Sequence, residues 1–248
     1  MTWWRRKSFW LKTLPIVLLA TILVSAWVRH SMADWRTASM DSAGIAPDPP
    51  THKEAILQVY SARAYSWRGI FGVHTWFAVK PTDALEFAVY EVIGWRVRRG
   101  APAVAISTRP ADGRWFDAIP EVIADVRGDG VDDMIKRIDQ AARGYPYMNE
   151  YTVWPGPNSN TFTAHVARAV PELKLDLPPT AIGKDYLPGG SLVAKTPSGT
   201  GMQISLAGLL GIMVGKEEGV EINLLGLTFG LDPLDFAVKL PMDRKSVV

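Results

Sequence analysis

Ser159 stands between two amides, Asn158 and Asn160, in the stretch "WPGPNSNTFTAHVARAVPEL" that runs from Trp154 to Leu173. Pro155, Gly156 and Pro157 stiffen the approach. A helical apolar pattern of Phe162, Val166 and Ala169 follows, and Pro171 halts it. A hydroxyl at the mouth of a helix gains from the helix dipole and from free backbone N–H groups that can hold an oxyanion. The same place suits an N-cap, for which Ser and Asn are favoured. As a nucleophile Ser159 needs a base. His74, in "GVHTWFAVKP", is the candidate, and Glu91 on the next strand would orient its imidazole. Ser159, His74 and Glu91 therefore form the expected catalytic set, with Asn158, Asn160, Trp76 and Tyr90 as expected substrate contacts. Trp76 shares a face with His74 by the period of two in a strand. Tyr90 points away from that face and takes the place of Glu91 only if the register slips by one.

These residues need a framework. Ala55–Ala64, Phe71–Lys80 and Phe87–Gly94 read as strands, as do "PAVAISTR" and "PEVIADVR", in an antiparallel meander. An amphipathic helix then opens at Asp129. Val131, Met134, Ile135, Ile138 and Ala142 line one side, Asp132, Asp133, Lys136 and Arg137 the other, and Gly144 ends it. "NEYTVW" reads as a further short strand. Beyond a Pro- and Gly-rich connection the chain reads as three glycine-rich strands, with "KEEG" turning between the last two. Within them the apolar run Ile204–Val214 is too short to span a bilayer. It is expected as a buried strand in preference to a surface that rests on lipid. The fold class is α+β, an antiparallel sheet with packed helices. Residues 1–33 are expected as an anchor or signal segment, 34–53 as a linker, 54–180 as the core and 181–248 as a β extension packed on it.

"GVHTWFAVKP" followed by "GPNSNTFTA" resembles the circularly permuted branch of the papain-like superfamily, the NlpC-type amidases and their relatives. There the histidine strand precedes a nucleophile at a helix start, and Ser159 stands where the cysteine would be. The resemblance implies a papain-like core in permuted order and hydrolysis or acyl transfer on an amide or ester of the cell envelope. A serine hydroxyl does not ionise near neutrality as a thiol does, so it would depend on His74 in the transition state. More narrowly, "YPYMNEYTVWPGPNSNTFTAHVARAVPEL" and "LPPTAIGKDYLPGG" are similar to a bacterial family labelled domain of unknown function 3750, over roughly residues 55–241. That family carries no established activity, so a catalytically inactive binding or structural module is the alternative.

Composition narrows the partners. The 27 basic and 25 acidic side chains leave a net charge of +2, with no basic stripe beyond the N-terminus, so nucleic acid is not an expected partner. The chain has no cysteine and no histidine pair at zinc spacing, and the phosphate-binding glycine patterns are absent. No cofactor and no metal are expected. Arg5, Arg6, Lys7 and Lys12 precede the uncharged run "TLPIVLLATILVSAWV" at residues 13–28. A basic flank before an apolar run predicts a retained transmembrane helix in the cytoplasmic membrane, with the globular domain outside the cytoplasm. An envelope peptide or lipid is the expected ligand class.

Overall fold

The computed structural model describes residues 34–242 and 246–247. The predicted membrane segment at 13–28 lies outside them. Among the described residues no helix is long and apolar enough to cross a membrane. Residues 34–38 make a turn in which the backbone N–H groups of Thr37 and Ala38 donate to Asp34 O. A separate compact unit begins at Ser39.

The five expected strands form one antiparallel sheet. They are β1 (Ile56–Arg63), β2 (Val73–Lys80), β3 (Ala88–Val92), β4 (Val104–Thr108) and β5 (Glu121–Arg127), in the order β4-β3-β2-β1-β5. β1 and β2 are buried along almost their whole length, because both faces of the sheet are covered. After a single turn, α1 (Gly94–Val97), come α2 (Val131–Arg143) and α3 (Ser159–Ala167). These two helices cover one face, where Leu57, Phe77 and Val79 meet Ile138, Phe162 and Val166. On the other face Tyr60, Trp76, Ala78 and Val89 meet Trp115 from the β4–β5 connection. Each large apolar side chain buried in this way contributes roughly 1.5–3 kcal/mol. α2 begins after Gly130, two residues later than Asp129, and buries the expected apolar stripe.

One expected strand is absent from this unit. "NEYTVW" is no strand. Thr152 N donates to Pro157 O, and the Tyr151 ring lies where a side chain on Gly94 would stand, so the segment folds on itself as a loop. Part of the expected linker packs on the β4–β5 connection. Asp112 holds residues 42–46 by accepting from Ser42 Oγ, Ile45 N and Ala46 N at 2.7–3.1 Å.

The C-terminal region holds seven strands instead of three. β6 (Val193–Lys195), β7 (Gly201–Leu206), β8 (Leu210–Gly215), β9 (Gly219–Leu224), β10 (Leu227–Asp232), β11 (Ala237–Lys239) and β12 (Ser246–Val247) form a simple antiparallel meander. The "KEEG" turn joins β8 to β9. β9 and β10 are joined by only Leu225 and Gly226, at φ 54 and 81. Such a tight mirror-image turn needs no polar loop, so "LLGL" reads as one continuous apolar run. The polarity of this sheet is also reversed from expectation. Ile204, Leu206, Leu210, Ile212 and Val214 are exposed, not buried. The alternate residues Gln203, Ser205, Glu221 and Asn223 turn inward.

Candidate functional site

The helix mouth is built by its asparagines. Asn158 is the N-cap of α3: its Oδ1 accepts from Asn160 N at 2.9 Å and Thr161 N at 3.2 Å. Thr161 Oγ1 accepts in return from Asn158 N at 3.1 Å, which completes a capping box. The Asn158 Nδ2 group donates to Val153 O and Ile182 O, both at 3.0 Å. Asn160 Nδ2 donates to Val73 O at 3.0 Å and Ile182 O at 2.8 Å, while its Oδ1 accepts from Thr75 Oγ1 at 2.9 Å. Both amides are engaged at both ends. They tie the loop before α3, the connection at 182 and strand β2 into one piece. Asn158 and Asn160, expected as substrate contacts, act here as ties, with two donors and an acceptor of each buried amide already bonded.

His74 lies elsewhere. Its Nε2 is 2.9 Å from Glu91 Oε2, and Arg109 Nε donates to Glu91 Oε1 at 2.9 Å. A carboxylate only accepts, so Nε2 carries the imidazole proton. The His74 ring stacks on Trp115 with centroids 3.6 Å apart, beside Trp76, and the Arg109 guanidinium lies over Trp76. Burial pushes the imidazole pKa down, against the pull of Glu91, so His74 is held neutral. For Glu91 burial acts upward. The hydrogen bonds from His74 and Arg109 outweigh it, and the carboxyl sits below its ordinary value. Of the expected set, the structure brings His74, Glu91 and Trp76 together. Tyr90 points to the helix face, where its hydroxyl donates to Asp139 at 3.1 Å. Sequence reasoning missed Arg109 as a partner of Glu91 and Trp115 as a partner of His74. They come from the irregular stretch "STRPADGRWF", where no period marks a face.

Ser159 and His74 are on opposite faces of the sheet. Thr75 bonds into α3, and successive side chains of a strand point to opposite sides, so His74 faces away from that helix. The expected nucleophile and base are separated by β2 itself. Thr75, not His74, occupies the side that meets α3.

A cavity of about 420 Å³ opens where the end of β1, β5 and the connection 174–180 meet the second sheet. Its wall carries both signs of charge, including Arg63, Lys174 and Lys239 with Glu121, Asp176 and Glu217. Beneath it lies a buried ionic cluster. Glu221 accepts from Lys184 Nζ at 2.6 Å and from Lys239 Nζ at 2.8 Å, and Lys239 also reaches Asp176 at 2.9 Å. Burial would lower the Lys184 pKa, but the surrounding carboxylates raise it, so it remains charged.

A doubly covered five-stranded sheet joined to a seven-stranded meander through buried charges defines an α+β protein with two antiparallel sheets. The chain belongs to the family described as protein of unknown function (DUF3750), whose model matches residues 54–186, just over half of it. The match ends before the seven-stranded sheet, short of the residue 241 to which the resemblance extends. No curated protein and no solved structure matches the chain.

Proposed function

We propose that the chain is an envelope module, anchored in the cytoplasmic membrane by its apolar run at 13–28, that binds or scaffolds and does not hydrolyse at Ser159. One observation carries this reading. His74 and Ser159 face opposite sides of β2, so His74 does not reach the serine as its base. A neutral hydroxyl without a base is a poor nucleophile. The asparagines beside it serve the fold, and the cap they build accounts for the polar triplet. Labelling of the full chain with a fluorophosphonate probe is the test. We expect no labelling of the folded protein. Labelling that disappears in Ser159→Ala would overturn the reading.

The cavity is where this module would hold a ligand. Charges of both signs along one wall suit a zwitterion, such as an envelope peptide with a free amine and carboxylates. Titration calorimetry of the full chain with peptidoglycan stem peptides checks it. Heat of binding that survives Lys174→Glu unchanged would count against this cavity.

A further inference from the structure

The seven-stranded sheet presents the wrong face to water. Every outward position from β7 to β10 is Leu, Ile, Val, Met or Phe. The strands pair in register, so Ile204, Ile212, Ile222 and Phe229 form one row straight across the sheet. Met202, Val214, Val220 and Leu231 form the row beside it. The four strands β7 to β10, about 4.8 Å apart and six residues long at about 3.4 Å each, make a face of roughly 20 by 20 Å. That is as large as the biggest apolar patches of soluble monomers. The polar residues of these strands, Gln203, Ser205, Glu221, Asn223, Thr228 and Asp232, are all buried on the inner side, where Glu221 enters the ionic cluster, so the apolar face is no accident of a loosely specified register.

We infer that this face rests on a lipid bilayer. Three observations favour lipid over a second copy of the chain. First, the apolar surface continues over both ends of the sheet: Leu225, at the tip of the β9–β10 turn, is 65% exposed, and Phe236, in the turn before β11, is 75% exposed. A second flat sheet would cover the face and leave those tips in water, whereas a bilayer interface takes in face and tips together. Secondly, the rim carries groups that suit the headgroup layer. The half-exposed Trp154 ring sits at the Leu225 turn, its Nε1–H donating to Leu225 O at 2.9 Å. Exposed Lys195 and Lys216 stand along the opposite margin, where they can meet anionic lipid. Thirdly, and resting on the anchor proposed above, the bilayer is close. From Val28, where the uncharged run ends, to Ser39, where the folded unit begins, is roughly eleven residues, at most about 40 Å of extended chain. The tether keeps the face at high local concentration over the membrane, so weak contact suffices.

The absence of cysteine allows a direct test on the full chain. Single cysteines are placed at Ile222→Cys on the face and at Lys136→Cys on α2, each labelled with an environment-sensitive nitrobenzoxadiazole dye. The protein is reconstituted in vesicles of phosphatidylethanolamine and phosphatidylglycerol. The face label should shift to the blue, be quenched by doxyl-labelled lipid and resist iodide, while the α2 label is quenched by iodide. A face label open to iodide overturns the inference. So does one shielded from both quenchers, which is the mark of a second copy. The anchor is judged separately by the double variant Leu18→Lys, Leu19→Lys. If only the anchor reading is wrong, both proteins sediment with vesicles and keep the face label in lipid. If only the face inference is wrong, the unaltered chain sediments with its face label in water.

Discussion

At the scale of single residues, the amides matter more than the hydroxyl between them. Asn158→Ala removes the cap of α3 and leaves the carbonyls of Val153 and Ile182 short of a donor. A cap is worth about 1 kcal/mol and each buried unsatisfied group about 1–3 kcal/mol, so a loss of roughly 2–4 kcal/mol is expected in urea denaturation. Ser159→Ala removes no cap and should change stability by less than about 0.5 kcal/mol. A larger loss in Ser159→Ala than in Asn158→Ala would contradict this division of labour. His74 makes a prediction in pH. Its folded pKa lies below the ordinary 6.5, so between the two values the folded state binds fewer protons than the unfolded chain. The stability it contributes is complete above pH 6.5 and is lost as pH falls through the folded value. Glu91, also lowered, acts in the same direction below its ordinary 4.5. In His74→Gln the fall in unfolding midpoint from about pH 7 to about pH 5 should be shallower than in the unaltered chain. Parallel slopes would show that another group carries the effect.

At the scale of elements, two joints hold the molecule. One is the contact of the 182–183 connection with the mouth of α3. Gly183 sits at φ +99, and a Cβ there would run into the Asn158 side chain. Gly183→Ala should therefore cost about 1–3 kcal/mol through backbone strain alone, and the clash adds to it. Circular dichroism melts would read the loss, and a variant as stable as the unaltered chain would refute the account. The other joint is the buried cluster of Lys184, Glu221 and Lys239. Glu221→Gln leaves two buried ammonium groups short of their shared carboxylate. Breaking a buried pair from one side costs about 3–5 kcal/mol, so a large drop in denaturation midpoint is expected. A drop of under about 1 kcal/mol would mean that water reaches the cluster.

At the scale of the whole molecule, the outward apolar face governs behaviour in solution. Without lipid or detergent the full chain should self-associate, because exposed patches of this size drive association. The double variant Ile212→Lys, Ile222→Lys places two charges in the middle of the face, at positions already exposed, and should lower light scattering at equal concentration. Unchanged scattering would assign the association to some other surface.

Periodic signals were legible in the chain, and non-local ones were not. The alternation in β1 to β5, the stripe of α2 and the start of α3 could be read off because each is a local pattern whose repeat matches its own geometry. The proximity of Glu91 to His74 also followed, since neighbouring strands of a meander bring their shared face together. The sequence by itself also determined that the third region is rich in turns and apolar. It did not determine which way that region faces. Alternation defines two faces but not which of them meets the core, and in this sheet the ionic cluster drew the polar one inward. Nor could spacing tell that Thr75, and not His74, looks toward α3. That depends on which side of the sheet the helix crosses, a choice made by the packing of Phe77 and Val79 on Phe162 and Val166. Only the tertiary structure decided these two matters, because each is settled by a contact between segments far apart along the chain.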